Sequence, residues 1–198
     1  MERVLSYQYC KAVIEPHGGV TRRASHPLGT GDGPIRIVEY DDSWQSAYAA
    51  ERDRLATLLP GIRIHHIGST AVPGLAAKPV IDMIALVACL DATATRLTLR
   101  AGYHRPARFN ANLRHRRFLC YPTLSHRTHH LHLVDEQQGV ESCVLFRDRL
   151  RSNPQLAVEY TALKRGLAER FKGDRMRYTE AKSTFIQHAL RDPTEGTR

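Results

Sequence analysis

The sequence predicts one α+β domain, with strands and helices mixed through its first two-thirds and a helical tail after that. Two short apolar runs rich in branched residues, 62–67 and 80–87, have the length and composition of strands. After residue 153, two apolar stripes at helical spacing follow one another, as in a helical hairpin packed on a sheet. At 198 residues, 42% apolar and 25% charged, the chain suits a single domain with a real core.

Residues 1–33 are rich in turn formers and end in Gly29, Gly31 and Gly33, so they read as a loosely ordered N-terminal extension. The domain is expected over 34–192, with 193–198 as a tail. Residues 35–38 suggest a short strand. Asp41, Asp42 and Ser43 then offer a helix N-cap. Trp44, Ala47, Tyr48, Leu55, Leu58 and Leu59 follow at helical spacing until Pro60-Gly61 stops the run. Residues 62–67 alternate as a strand does, and 80–87 is apolar apart from Asp82. Asp91 is expected to cap a helix ending at Gly102, and 103–105, 117–121 and 130–134 read as three more strands. Residues 141–151 form a helix. Asn153-Pro154 opens the next, with Leu156, Tyr160, Leu163, Leu167 and Phe171 on one face. Asp174 starts a last helix with Tyr178, Ala181, Phe185 and Ala189 inward.

No apolar run reaches the roughly 18 residues that a membrane helix needs, and residues 1–33 lack the apolar middle of a signal peptide. No membrane partner is expected, and the cytoplasm is the expected compartment. Cys10, Cys89, Cys120 and Cys143 form no CxxC pair and read as plain thiols. The formal net charge is +9. Between Asp91 and Asp135 lie eight arginines, six histidines and no acid. Such a segment attracts anions, whether on a small nucleotide or on a nucleic acid, or it is simply a solvated basic face. It carries no recognised nucleic-acid motif, so RNA or DNA binding is possible but not favoured.

The stretch from His66 to Ile84 holds the chemistry. A strand runs into Gly68-Ser69, a loop of small residues follows, and a second strand bears Asp82. Gly68 lets backbone and ligand approach closely, and Ser69 and Thr70 offer hydroxyls to a phosphate; a tight turn without ligand fits the same residues. The spacing is not that of a Walker A loop. A carboxylate inside an apolar strand is costly unless paired or bound to metal, so Asp82 is either caught by Lys78 or an arginine, or functional.

The pattern apolar-Gly-Ser, twelve residues, then Asp between apolar residues resembles the nucleotidyltransferase-fold signature. The fuller string HIGSTAVPGLAAKPVIDM is similar to the GrpB family of nucleotidyltransferase-fold proteins. The similarity continues in order through RTHHLHLV at 127–134, FRDRLR at 146–151, YTALK at 160–164 and YTEAKSTFI at 178–186. It implies a nucleotidyltransferase-like mixed sheet with flanking helices and a C-terminal helical hairpin. Gly68-Ser69 would cradle the β- and γ-phosphates of ATP or a related triphosphate, and Asp82 would ligate Mg²⁺ or Mn²⁺. Such enzymes carry a second acid two positions on, where this chain has Ile84. His130 and His132 alternate with Leu131 and Leu133, so on a strand both imidazoles share a face. With Asp82 they would make a three-ligand set suited to Mn²⁺, Zn²⁺ or Fe²⁺, or one would act as a general base; a solvated sheet face is the plainer alternative. Arg127, His129, Arg147 and Lys182 are the phosphate-clamp candidates, Arg147 alternatively forming a surface pair with Asp148, and Lys78 either fixes entry into the Asp82 strand or neutralises phosphate.

The expected function is metal-dependent nucleotidyl transfer to an unidentified acceptor, with pyrophosphate leaving. The alternative is a non-catalytic nucleotide-binding or accessory domain, since GrpB-like domains resemble one joined to a coenzyme A biosynthetic kinase.

Overall fold

A computed structural model describes residues 35–191; the extension expected over 1–33 and the tail over 193–198 lie outside them. Helix α1 (Ser43–Ala56) starts where the sequence signals it, with Asp41 Oδ1 accepting from the Ser43 amide at 2.8 Å. Strand β1 (Ile64–Ile67), a 3₁₀ turn (Ser69–Ala71) and strand β2 (Ile81–Leu86) follow. Helix α2 (Leu90–Ala101) ends at Gly102, whose φ of 69° supplies the left-handed residue that closes the last turn. The short helix α3 (Ala107–Asn110) leads to strands β3 (Arg116–Pro122) and β4 (Arg127–Val134). The tail is α4 (Gln137–Ser152), α5 (Pro154–Arg170), α6 (Arg175–Glu180) and α7 (Ser183–Leu190). Asn153 caps α5 through its side chain, accepting from the Leu156 amide at 3.0 Å.

The four strands form one mixed sheet in the order β1-β2-β4-β3. β2 and β4 run parallel at its centre, and β1 and β3 flank them antiparallel. A parallel pair needs a long crossover, and the segment with α2 provides it. One sheet face buries Met83, Ala85, Leu119, Leu131 and Leu133 against Trp44 and Leu55 of α1 and Ala94 and Leu97 of α2. The other buries Ile67, Ile84 and Val134 against Val140 and Cys143 of α4. A further cluster joins Val72 and Leu75 to Phe146, Tyr160 and Ile186, fastening the loop after β1 to the helical tail.

Three local expectations are corrected. The segments 35–38 and 103–105 are not strands: each makes a single bridge, Val38 to Ala77 and His104 to Cys120. Asp91 does not cap α2, whose N-cap is Cys89; its carboxylate instead accepts from Arg117 at 2.9 and 2.7 Å and pairs with Arg105 at 2.7 Å. The last helix is broken at Ala181–Lys182, because its apolar stripe serves two cores: Tyr178 packs with Ile35 and Leu167, whereas Ile186 and Ala189 pack with Leu150 and Tyr160. Among the described residues, no helix is long and apolar enough to cross a membrane.

Candidate functional site

The antiparallel pairing of β1 with β2 sets Ile67 opposite Asp82, so the residues just after β1 turn over the start of β2. Gly68 makes that turn at φ 72° and lies against the carboxylate: a Cβ there would sit 2.8 Å from Asp82 Oδ2. Only glycine offers both the backbone conformation and the space. Ser69, half-exposed, begins the 3₁₀ turn.

The parallel pairing of β2 with β4 sets Asp82 beside His130 and Ile84 beside His132. His130 Nδ1 donates to Asp82 Oδ1 at 2.9 Å, the other ring nitrogen being Nε2. That Nε2 is buried and makes no hydrogen bond. Asp82 and His130 keep 32% and 17% side-chain exposure, so the pair opens to solvent instead of lying sealed in the core. Burial works against the Asp82 carboxylate, yet the bond from His130 and the charges of Lys182 and Lys78 hold its pKa below the ordinary value.

The helical tail brings two amines to this corner. Lys164 of α5 is 2% exposed; its Nζ lies 3.0 Å from Ser69 Oγ and also donates to the Ala76 carbonyl. Burial, with Lys182 and Arg165 adding repulsion, pulls Lys164 down to about 7. Lys182, at the break between α6 and α7, sits 4.3 Å from the centre of the Tyr178 ring. Burial lowers Lys182 to about 8, with Asp82 acting upward and Lys78 downward. Burial also raises the Tyr178 phenol, with the Asp82 charge adding to the effect. Lys78, half-buried, acts on both Asp82 and Lys182. The corner therefore gathers Ser69, three amines, one carboxylate and one imidazole.

Other residues of the sequence-predicted set lie elsewhere or are already engaged. His132 shares the face of Asp82 but accepts at Nδ1 from Arg116 Nη2 in the core, and burial pushes its pKa well down. Asp82 and His130 approach each other, but the donor atoms of Asp82, His130 and His132 do not all lie within 4.8 Å of one another; among the described residues the His115, Asp135 and Glu136 cluster on the surface is the one group of three that does. Thr70 is 1% exposed, donates to the Val80 carbonyl at 3.2 Å and meets His66 Nε2 at 3.1 Å, so its hydroxyl is structural. His129 faces the α1 side, 6.0 Å from the Tyr121 ring, because alternation sends it opposite to His130. Arg127 Nε donates to the Leu124 carbonyl at 3.0 Å within its own hairpin. Arg147 donates to the His66 carbonyl at 2.9 Å and to both oxygens of Asp148 at 2.8 and 3.0 Å, which makes it a staple between α4 and β1.

Two residues that matter were not among the candidates. Lys164 follows Tyr160 by four positions and so stands on the apolar stripe of α5, where a lysine is a marked anomaly. Arg151 donates to the Ala71 carbonyl at 3.0 and 2.6 Å and holds the 3₁₀ turn from behind; no sequence signal separates it from its neighbouring arginines.

As a donor set for a divalent cation, the corner supplies one carboxylate and one imidazole nitrogen, without His132. That suits an ion held by Asp82 and completed by oxygens of a phosphorylated ligand, as Mg²⁺ commonly is, better than a three-protein-ligand centre.

Residues 34–192 match the family described as GrpB protein. The chain belongs to the GrpB family. Among relatives, it is 37% identical over 172 residues to a UPF0157 protein of Pseudomonas aeruginosa, an alignment covering 84% of this chain and 71% of that protein. It is 33% identical over 159 residues to the UPF0157 protein YqkA of Bacillus subtilis, covering 78% of this chain but only 46% of YqkA. It is also 31% identical over 197 residues to a dephospho-CoA kinase of Mycolicibacterium paratuberculosis, covering 84% of this chain and 48% of the kinase. The chain thus spans about half the length of two of these relatives. The crystal structure of the conserved GrpB protein from Enterococcus faecalis superimposes with a TM-score of 0.68 at 32% identity, covering 78% of this chain and 94% of that one. The GrpB match and the described fold share the same residues, so Gly68-Ser69, Asp82, His130, Lys164 and Lys182 all lie inside the family region.

Proposed function

We propose that this GrpB chain binds the phosphate tail of ATP or a related triphosphate at the Ser69–Lys164–Lys182 corner and transfers a nucleotidyl group from it to a small acceptor. The observation that carries the reading is the charge imbalance at the corner. Among the described residues, Asp82 is the one carboxylate acting on Lys182 and none is paired with Lys164, and burial already pulls both amines below their ordinary range. Buried cations in excess of their counter-charges are costly, and a polyphosphate removes that cost.

In this reading Ser69 and Lys164 hold the terminal phosphates, and Lys182 offsets the charge that develops on the leaving pyrophosphate. A divalent cation held by Asp82 would neutralise the transferring phosphoryl oxygens. His130, bonded through Nδ1 to Asp82, would fix the orientation of the carboxylate that holds the cation. The nucleotidyltransferase fold, the metal and the acceptor class belong to this proposal.

The test is calorimetric titration of the full chain with ATP and Mn²⁺, paired with an assay for pyrophosphate release. Lys182→Met is expected to weaken ATP binding roughly tenfold or more, as loss of a charge-assisted bond does. Asp82→Asn is expected to abolish release. Absence of binding and release with every triphosphate and metal tried defeats the reading.

A second reading is favoured by the alignment with part of a dephospho-CoA kinase and by Ile84 at the position of a second acid. Here the corner binds a nucleotide without turning it over. ATP would then raise the melting temperature with no pyrophosphate released. Nucleic-acid binding draws less support, because Arg116 is buried and Arg105 and Arg117 are paired to Asp91.

A further inference from the structure

Ser69 and Lys164 are 95 residues apart in sequence, yet Oγ and Nζ meet at 3.0 Å. The serine is half-exposed on the solvent side, and the amine lies directly behind it in the core. The Ala76 carbonyl accepts from the same Nζ and fixes its position. A hydroxyl within hydrogen-bond reach of a base, itself oriented by a third group, is the arrangement that activates serine nucleophiles.

We propose that Ser69 is a nucleophile toward phosphorus, with Lys164 as its general base, so that the chain becomes covalently phosphorylated on Ser69. The natural electrophile rests on the triphosphate reading above; the nucleophile itself does not. In the step, Ser69 Oγ attacks the γ-phosphorus and an Oγ–P bond forms. The bond from that phosphorus to the β,γ-bridging oxygen breaks, and the nucleoside diphosphate leaves with its electron pair. The serine proton passes to Lys164 Nζ and from there to solvent.

The groups facing Lys164 set its readiness to accept that proton. Ser69 Oγ faces it from the 3₁₀ turn, the Ala76 carbonyl from the loop before β2, and Lys182 from the break after α6. On its own helix are the Tyr160 ring, 4.8 Å away, and Arg165. None of these is an acid, so among the described residues no counter-charge holds the proton on the amine, and burial keeps it at about 7.

The experiment treats the full chain with a fluorophosphonate probe across a pH series and maps the adduct by mass spectrometry. In that reaction the Oγ–P bond forms and fluoride leaves. A single adduct on Ser69 is expected, absent in Ser69→Ala, with a rate that rises to a plateau through a midpoint near 7. Lys164→Arg keeps a cation and donors at the site but cannot give up its proton, so it is expected to slow labelling roughly a hundredfold. Lys164→Met, folded by its melting curve, is expected to do the same. ATP labelled in its γ-phosphate should then leave label on Ser69, whereas ATP labelled in its α-phosphate should not. An unlabelled Ser69 in protein with a wild-type melt, or an equal rate in Lys164→Arg, overturns the proposal. Probe labelling without any ATP binding supports the nucleophile and sinks the triphosphate reading. ATP binding without label on Ser69 overturns the phosphoryl step.

Discussion

Arg116 and His132 are partners across β3 and β4, the guanidinium Nη2 donating to the imidazole Nδ1 where both side chains are buried. Arg116 is 2% exposed, and its Nε and Nη1 make no hydrogen bond, so His132 is its hydrogen-bonded support. Burial pulls Arg116 down to about 9. The sequence groups His132 with Asp82 and His130 by its place on the strand; the guanidinium takes it instead.

Removing one partner is therefore expected to differ from removing both. His132→Ala leaves a buried cation unsupported and should cost about 3–5 kcal/mol of stability in urea unfolding. Arg116→Met combined with His132→Leu replaces the pair by apolar groups of similar size and should be near wild type or more stable. Loss of ATP binding in that double variant, with its fold intact, would return His132 to the ligand set.

Gly68 and Gly61 separate backbone strain from contact with Asp82. Both hold positive φ, 72° and 75°, but a Cβ at 61 meets nothing within 4 Å, while one at 68 meets Asp82 Oδ2 at 2.8 Å. Gly61→Ala should lose only about 1–2 kcal/mol, the strain of the left-handed conformation. Gly68→Ala should lose more by denaturant melting and should also weaken ATP binding, because Asp82 is displaced. Equal losses in the two variants would show that the carboxylate yields freely.

Acid should expose the Asp82–His130 bond. The folded-state pKa of Asp82 lies below its ordinary value of 3.8, so its contribution is present above that value and fades as pH falls through the folded pKa. Stability measured from neutral pH down to the acid limb should therefore fall less steeply in Asp82→Asn than in wild type. An unchanged acid limb would mean that the hydrogen bond does not favour the charged carboxylate in solution.

Binding a polyphosphate should draw protons onto the protein. Lys182 is lowered to about 8, and an anion beside it raises it. At pH 8 the complex should take up protons, visible as a binding enthalpy that varies with the ionisation enthalpy of the buffer. Near pH 6 Lys182 is already charged and the uptake should vanish. This shift, with that of Lys164 to about 7, makes the free protein gain stability as pH rises from about 7 toward the ordinary lysine value of 10.5, since the unfolded chain binds more protons over that window. Proton release at pH 8 would contradict the reading.

Local patterns carried much of the architecture. The stripe from Leu156 to Leu167 became α5 with the cap at Asn153, and the runs at 62–67 and 80–87 contain β1 and β2. Segments 35–38 and 103–105 have strand composition too, but strand formation depends on a neighbour to pair with, and each finds only one paired residue. The alternation in β4 sorted His130 and His132 from Leu131 and Leu133, and the same alternation puts His129 on the α1 side.

By itself, the sequence determined the α+β class, the helical hairpin, the Gly68-Ser69 turn running into Asp82, and membership of the GrpB family, because these follow from periodicity and contiguous motifs. Only the tertiary structure decided which side chains share the site. The parallel register of β2 with β4 gave Asp82 its partner in His130, the buried Arg116 claimed His132, and the packing of α5 on the 3₁₀ turn carried Lys164 to Ser69. Those choices depend on which donors and charges are left unmatched once distant segments pack together, and residue spacing along the chain does not encode that balance.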